Sequence, residues 1–326
     1  MTSLTDAFAR RSGCTPHGIS AVLLPYTAAG QINWAAFERH LARTSSAGLD
    51  VAVNMDTGFG DLLSAGEREQ VLDATRRVLG AGKPFFAGAF ADEAGRYRAA
   101  LAAIAKRDAT PVIVQCRAMH ALGAAGKADF YRRVLADCER ALAFELGPVF
   151  APHGEIWSDE TFARILEIEG LIGAKHSSLD RAVELRRLAA RDRQRPDFRV
   201  YTGNDLAIDM VAYGSDYLLG LSTLAPEAFA ARDRALAAGD VEFLAMNDAL
   251  QHLGNVAFRA PVPAYKHSAA QYLQITGGLD SDAIHPRAPR RPGSDRILLL
   301  DCAIRLGAVG DPARAFAERV APFLER

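Results

Sequence analysis

Short apolar runs alternate along the chain with longer stretches in which apolar residues recur at helical spacing. The short runs are Ile19–Leu24, Asp50–Asn54, Pro84–Gly88, Pro111–Gln115, Pro148–Ala151, Leu171–Lys175, Phe198–Thr202 and Tyr217–Leu219, eight in all. Each is too short for a helix and nearly continuously apolar, the pattern of a strand covered on both faces. The periodic stretches between them predict helices. Trp34–Ser46 sets Phe37, Leu41 and Ala42 on one face, and Ala65–Leu79 does the same with Val71, Leu72, Ala74 and Val78. Ala94–Ala105, Lys127–Ala143, Asp159–Glu167, Arg181–Ala190 and Asp205–Ala212 read similarly, and Pro226–Ala237 opens with proline in its first turn. Turn signals separate the elements at Ala81-Gly82-Lys83-Pro84, at Glu145-Leu146-Gly147-Pro148 and at Gly203.

Strands of this kind, each followed by a helix, imply a parallel sheet sheathed in helices. Eight such units close naturally into a (β/α)8 TIM barrel of typically ~250 residues. The eighth unit ends near Gly239, so we expect an N-terminal extension at 1–17, a barrel over 18–239 and a C-terminal helical region over 240–326. The last carries helical patterns at Val241–Leu253, Pro263–Leu273, Asp295–Leu306 and Pro312–Leu324. Between two of them, His285–Arg296 is rich in proline and arginine and reads as an ordered, irregular connector. An open, doubly wound sheet is the alternative, but no GxGxxG follows the first strand.

Composition narrows the function. The 326 residues carry 38 basic and 39 acidic side chains, for a net charge of −1, which argues against an electrostatic nucleic-acid binder. No apolar run approaches the ~18–20 residues of a membrane span. Met1–Cys14 is polar and lacks the apolar core of a secretion signal, so a cytoplasmic protein is expected. Cys14, Cys116, Cys138 and Cys302 have no CxxC spacing and read as reduced bystanders. Only five cations are lysine: Lys83, Lys106, Lys127, Lys175 and Lys266. A lysine can lose its proton on burial and become a nucleophile, whereas arginine effectively cannot.

In a barrel the chemistry sits at the C-terminal ends of the strands. Lys175 ends Leu171-Ile172-Gly173-Ala174-Lys175, a run with no other charge. Desolvation there lowers an amine's pKa, and a neutral amine can attack a carbonyl to form a Schiff base. The ordinary alternative is a strand-end lysine paired with a carboxylate. Lys106 and Lys127 read as solvated helix-end residues and Lys83 as a turn residue. Lys266 stands apart, because Tyr265 and His267 beside it could set it against the barrel. Asp56-Thr57-Gly58 follows the second strand and can offer backbone N–H groups to a carboxylate, or simply be a βα turn. Gly203-Asn204-Asp205 is equally open, since Asp205 would make a good helix N-cap. Gly220-Leu221-Ser222 permits close backbone approach. His153 and His176 fall at strand ends as possible general bases. The absence of HxH and HExxH spacing argues against a metal site.

Together these motifs resemble the dihydrodipicolinate synthase / N-acetylneuraminate lyase family, over roughly Gly18 to Ala237. Ala21-Val22-Leu23-Leu24-Pro25-Tyr26 is similar to its opening strand. Asp56-Thr57-Gly58 with Leu63-Ser64-Ala65-Gly66-Glu67-Arg68 is similar to its Gly-Thr-Thr-Gly-Glu segment and following helix start. Ile172-Gly173-Ala174-Lys175-His176-Ser177-Ser178 resembles the segment holding its imine-forming lysine. Tyr201-Thr202-Gly203-Asn204-Asp205 and Gly214-Ser215-Asp216 through Ser222 and Pro226 resemble two later turns.

The resemblance implies a lyase, an aldolase or dehydratase, acting on pyruvate or another 2-oxo acid through Lys175. It implies no metal or organic cofactor, a small-molecule substrate, and a homo-oligomer, tetramer or dimer. Asp56, Thr57, Gly58, Phe150, Gly203, Asn204, Gly220 and Ser222 would line the substrate, with Lys175, His153 and His176 catalytic.

One departure matters most. The family carries a proton-shuttling tyrosine at the end of strand five, where this chain reads Val149-Phe150-Ala151-Pro152-His153. A phenylalanine cannot relay a proton. His153, His176 and Asp56 are the substitutes to test. Asp56 would itself repel a substrate carboxylate unless protonated or countered by a cation such as Arg117. A catalytically silent member that binds a 2-oxo acid or sugar acid is the other reading.

Overall fold

The computed structural model describes residues 14–151 and 153–324. Most of the expected N-terminal extension lies outside them, as does Pro152. Eight parallel strands close into a barrel in sequence order. They are β1 (Gly18–Ala21), β2 (Asp50–Val53), β3 (Phe85–Ala89), β4 (Ala109–Ile113), β5 (Ala141–Leu146), β6 (Leu171–Ser177), β7 (Arg199–Thr202) and β8 (Asp216–Leu219). The sheathing helices are α1 (Trp34–Ser46), α2 (Ala65–Leu79), α3 (Ala94–Ala105), the single turn α4 (Arg117–His120), α5 (Ala124–Val134), α6 (Asp159–Leu166), α7 (Arg181–Gln194) and α8 (Pro226–Ala238). After the barrel come α9 (Glu242–Ala257), α10 (Tyr265–Ile275), α11 (Asp295–Arg305) and α12 (Pro312–Arg319). Among the described residues no helix is long and apolar enough to cross a membrane.

Strand alternation splits the core in two. Ile19, Ala21, Ala52, Val112, Leu142, Phe144 and Leu218 fill the barrel, while a larger cluster packs strands against helices. Helix starts follow local chemistry. Ser64 and Glu67 form a capping box at α2, and the Asp180 carboxylate accepts the Ala182 and Val183 N–H groups at α7.

Three sequence expectations are corrected. The fifth strand is Ala141–Leu146, not Pro148–Ala151, and the helix before it stops at Val134 instead of running to Ala143. Alanine, leucine and glutamate are strong helix formers, so Ala141-Leu142-Ala143-Phe144-Glu145-Leu146 reads as a helix end. Tertiary pairing overrides that propensity, with Phe144 in register with Lys175 and Glu145 with His176. The helix expected at Asp205–Ala212 is a 3-10 segment, Ile208–Tyr213, which Asp205 does not cap.

The connector around His285–Arg296 does positional work for α10. Arg291 donates to the carbonyls of Ala257, Ala260 and Pro261 at 3.1–3.2 Å, and its own N–H donates to His267 Nδ1 at 2.7 Å. These bonds hold the buried α10 so that its first turn lies over the barrel mouth.

Candidate active site

Lys175 points into the barrel, where its side chain is 7% exposed. Its Nζ stands 4.6 Å from the centre of the Phe144 ring. Burial drives the pKa below its ordinary value, opposed by the negative charges of Asp205 and Asp56. Gly203 makes room for this side chain: a Cβ there would fall 2.6 Å from Lys175 Cε and 2.2 Å from Ser177 Oγ. Asp205 is buried and accepts the Leu221 N–H at 2.7 Å. Burial raises its pKa to about 7, against the lowering effect of Lys175.

A second cluster faces this one. Asp56 and Thr57 open a 3-10 turn, Asp56–Gly58, whose first N–H groups have no acceptor inside the turn. Asp56 Oδ1 accepts from Lys266 Nζ at 2.7 Å, and Oδ2 accepts from Tyr265 Oη at 2.8 Å. Tyr265 Oη is also 2.8 Å from Thr57 Oγ1. With the phenol donating to Asp56, the threonine hydroxyl is left to donate to the phenol. The Tyr265 ring stacks on Phe258 at 4.2 Å and lies against Gly220, where a Cβ would come within 3.0 Å of Tyr265 Cε2. Burial, reinforced by Asp56, pushes the Tyr265 phenol well above its usual range, so it rests protonated.

Beside these clusters is a cavity of about 150 Å³, lined by Phe90, Val114, Phe144, Leu146, Phe150 and Ala151 with Asp56, Asp61 and His153. The residue without a hydroxyl next to Lys175 is therefore Phe144, while Phe150 lines the adjoining cavity. His153 Nε2 is 3.0 Å from the Gln115 carbonyl, which can only accept, so in the neutral ring Nδ1 keeps its lone pair.

His176 does not join the site. It follows Lys175 in the strand and faces the opposite side. Its Nδ1 meets Glu145 Oε2 at 2.5 Å and its Nε2 meets Ser178 Oγ at 2.6 Å, behind the barrel wall. Arg187 completes that network at 2.8 Å from Glu145 Oε1. Asn204 and Ser222 shape their own turns: Asn204 Oδ1 accepts the Leu206 N–H at 3.0 Å, and Ser222 Oγ donates to the Leu219 carbonyl at 2.9 Å. The cation that counters Asp56 is Lys266, whereas Arg117 is exposed. Lys127, expected in solvent, is buried and pairs with Glu155 at 3.0 Å.

The sequence assigned no site role to Asp205 or to Tyr265, which it named only as a neighbour of Lys266. The signal for Tyr265 was its neighbour: a lysine in an arginine-rich chain, placed between two rings. Among the described residues no cluster of three or more His, Cys, Asp or Glu side chains is arranged to hold a metal ion.

This barrel, with its lysine at the end of the sixth strand and helices closing over the mouth, has the dihydrodipicolinate synthase fold. It superimposes on dihydrodipicolinate synthase from Thermotoga maritima with a TM-score of 0.80 and 18% identity, over 91% of this chain and 100% of that one. The enzyme from Acinetobacter baumannii, solved with pyruvate, gives 0.79 and 20% over 91% and 100%. YagE of E. coli K12, a member of the dihydrodipicolinic acid synthase family also solved with pyruvate, gives 0.80 and 16% over 90% and 99%. No curated protein matches the sequence. Over residues 6–325 the chain belongs to the family described as "Protein of unknown function (DUF993)".

Proposed function

We propose that the protein is a Schiff-base-forming lyase, an aldolase or dehydratase, that acts on pyruvate or another 2-oxo acid through Lys175. The observation that carries this reading is a buried amine with a depressed pKa at a barrel strand end, seated against Gly203. Lowering the pKa enlarges the neutral, nucleophilic fraction of the amine, and arginine could not replace it. The protonated imine withdraws electrons from the neighbouring carbon, so the reaction needs neither metal nor organic cofactor. The N–H groups opening the Asp56–Gly58 turn are suited to the substrate carboxylate, with Lys266 offsetting the Asp56 charge. The cavity beside Phe144 takes the rest of the substrate. In this reading the molecule works as a homo-oligomer and in the cytoplasm.

The test is reductive trapping. The protein is incubated with a panel of 2-oxo acids beginning with pyruvate, reduced with borohydride and mapped by mass spectrometry. An adduct on Lys175, absent in Lys175→Arg, is the expected result. Failure of the whole panel to label Lys175 sinks the proposal.

A further inference from the structure

We propose that Tyr265, carried to the barrel mouth by a helix outside the barrel, is the group that moves protons at the imine. This rests on the Schiff-base reading. Making an imine and then an enamine requires four proton movements, and an amine alone performs none of them efficiently. Phe144, the ring beside Lys175, has no proton to give. His176 faces away from the lumen, bound to Glu145 and Ser178. Both oxygens of Asp56 already accept hydrogen bonds, and Asp205 accepts the Leu221 N–H. Of the remaining groups, His153 lines the adjoining cavity with its Nε2 on the Gln115 carbonyl, whereas Tyr265 has its hydroxyl in the middle of a chain running from Thr57 Oγ1 through Tyr265 Oη to Asp56 Oδ2, anchored by Lys266.

The steps balance around this one phenol. As Lys175 Nζ bonds to the keto carbon, the carbonyl π pair moves to oxygen. Tyr265 protonates that oxygen and recovers a proton from the nitrogen. Loss of water then takes the Tyr265 proton onto the departing hydroxyl while the nitrogen lone pair forms the C=N bond. The phenolate left behind removes a proton from the adjacent carbon, giving the enamine and restoring the phenol. Lys266 Nζ, 5.6–5.7 Å from the centres of the Phe59 and Tyr265 rings, offsets the phenolate charge when it develops. The geometry is built for the ring: Phe258 fixes its plane and Gly220 leaves space for its edge.

The probe is pyruvate, with two readouts on the full-length protein: borohydride trapping at Lys175, and exchange of the pyruvate methyl protons for deuterium followed by NMR. Tyr265→Phe should still yield the Lys175 adduct on long incubation, while exchange falls by ~10²-fold or more, the range of a lost general acid–base group. Thr57→Val, which cuts the chain but keeps the phenol, should fall by a smaller factor, and it tests the relay should Tyr265→Phe fail to fold. Exchange at the wild-type rate in either folded variant overturns the assignment. If wild-type protein gives no adduct with any 2-oxo acid, the Schiff-base reading itself fails and this inference with it. That result is distinct from a wild-type enzyme that traps pyruvate and a Tyr265→Phe enzyme that still exchanges it.

Discussion

At the scale of single residues, the site depends on side chains that are absent as much as on those present. Gly203 has an ordinary backbone conformation, so alanine there meets no φ penalty, only the clash with Lys175 Cε and Ser177 Oγ. Displacing a reacting group by about 1 Å can cost ~10²-fold in rate. Gly203→Ala should therefore slow borohydride-trapped imine formation by that order while the fold persists by circular dichroism. A wild-type trapping rate would show that Lys175 does not need this space. Asp205 makes a prediction in pH. Its charge raises the Lys175 pKa, so removing it lets burial depress that pKa further. In Asp205→Asn the rise of trapping rate with pH should shift to lower pH. A shift to higher pH would mean that Asp205 acts on Lys175 in some way other than through its charge.

At the scale of elements, the seam between β5, β6 and α7 holds the strand that carries Lys175. Glu145 is fully buried; burial alone would raise its pKa, but His176 and Arg187 hold it below the carboxylate value of 4.5. Removing Arg187 leaves this carboxylate short of its partner, a change that typically costs ~3–5 kcal/mol. Arg187→Leu should lose about that much in urea unfolding at pH 7. Because the folded pKa is depressed, the stabilisation exists above the unfolded pKa and disappears as pH falls through the folded one. The gap between variant and wild type should thus narrow below pH ~4; a gap independent of pH would place the cost in packing. This seam also marks what the sequence made legible. Seven strands were visible because apolar runs ended in turn residues, and Lys175 because nothing else in its run was charged. β5 was hidden by residues that favour helix and by a buried glutamate whose partners, His176 and Arg187, are 31 and 42 positions away. His176 could have been excluded from sequence, since adjacent strand residues face opposite sides. For Tyr265 the sequence offered only a hint, that the rings beside Lys266 could set this segment against the barrel; its contact with Asp56 and Thr57, more than 200 positions away, had no local sign.

At the scale of the whole molecule, the two barrel ends divide the work. The bottom is sealed by His17, bonded to Tyr201 Oη at 3.0 Å and to Asp50 at 2.8 Å, while the top gathers groups from β2, β6, the loops after β7 and β8, and α10. In the proposed reaction, the charges at the top would decide which second substrate an enamine on Lys175 can meet. The cavity wall is three phenylalanine rings with Val114 and Leu146, and its charged lining residues, Asp56 and Asp61, are acidic. Among the described residues no arginine or lysine lines it and Asp56 is already paired with Lys266, so an anionic aldehyde finds no cation there and meets the Asp61 carboxylate. A neutral aromatic aldehyde matches the phenylalanine lining better, and the volume of about 150 Å³ is comparable to that of a cavity that binds benzene. Fully burying such a group is worth ~1.5–3 kcal/mol, or roughly 10–100-fold in kcat/KM. With pyruvate as donor, benzaldehyde should therefore form the aldol adduct at least ~10-fold more efficiently than glyoxylate, read by product NMR. Val114→Arg, which adds a cation to the same wall, should narrow or reverse that ratio. Equal rates for the two aldehydes in the wild type would mean that this cavity does not receive the acceptor, and that the apolar wall serves packing alone.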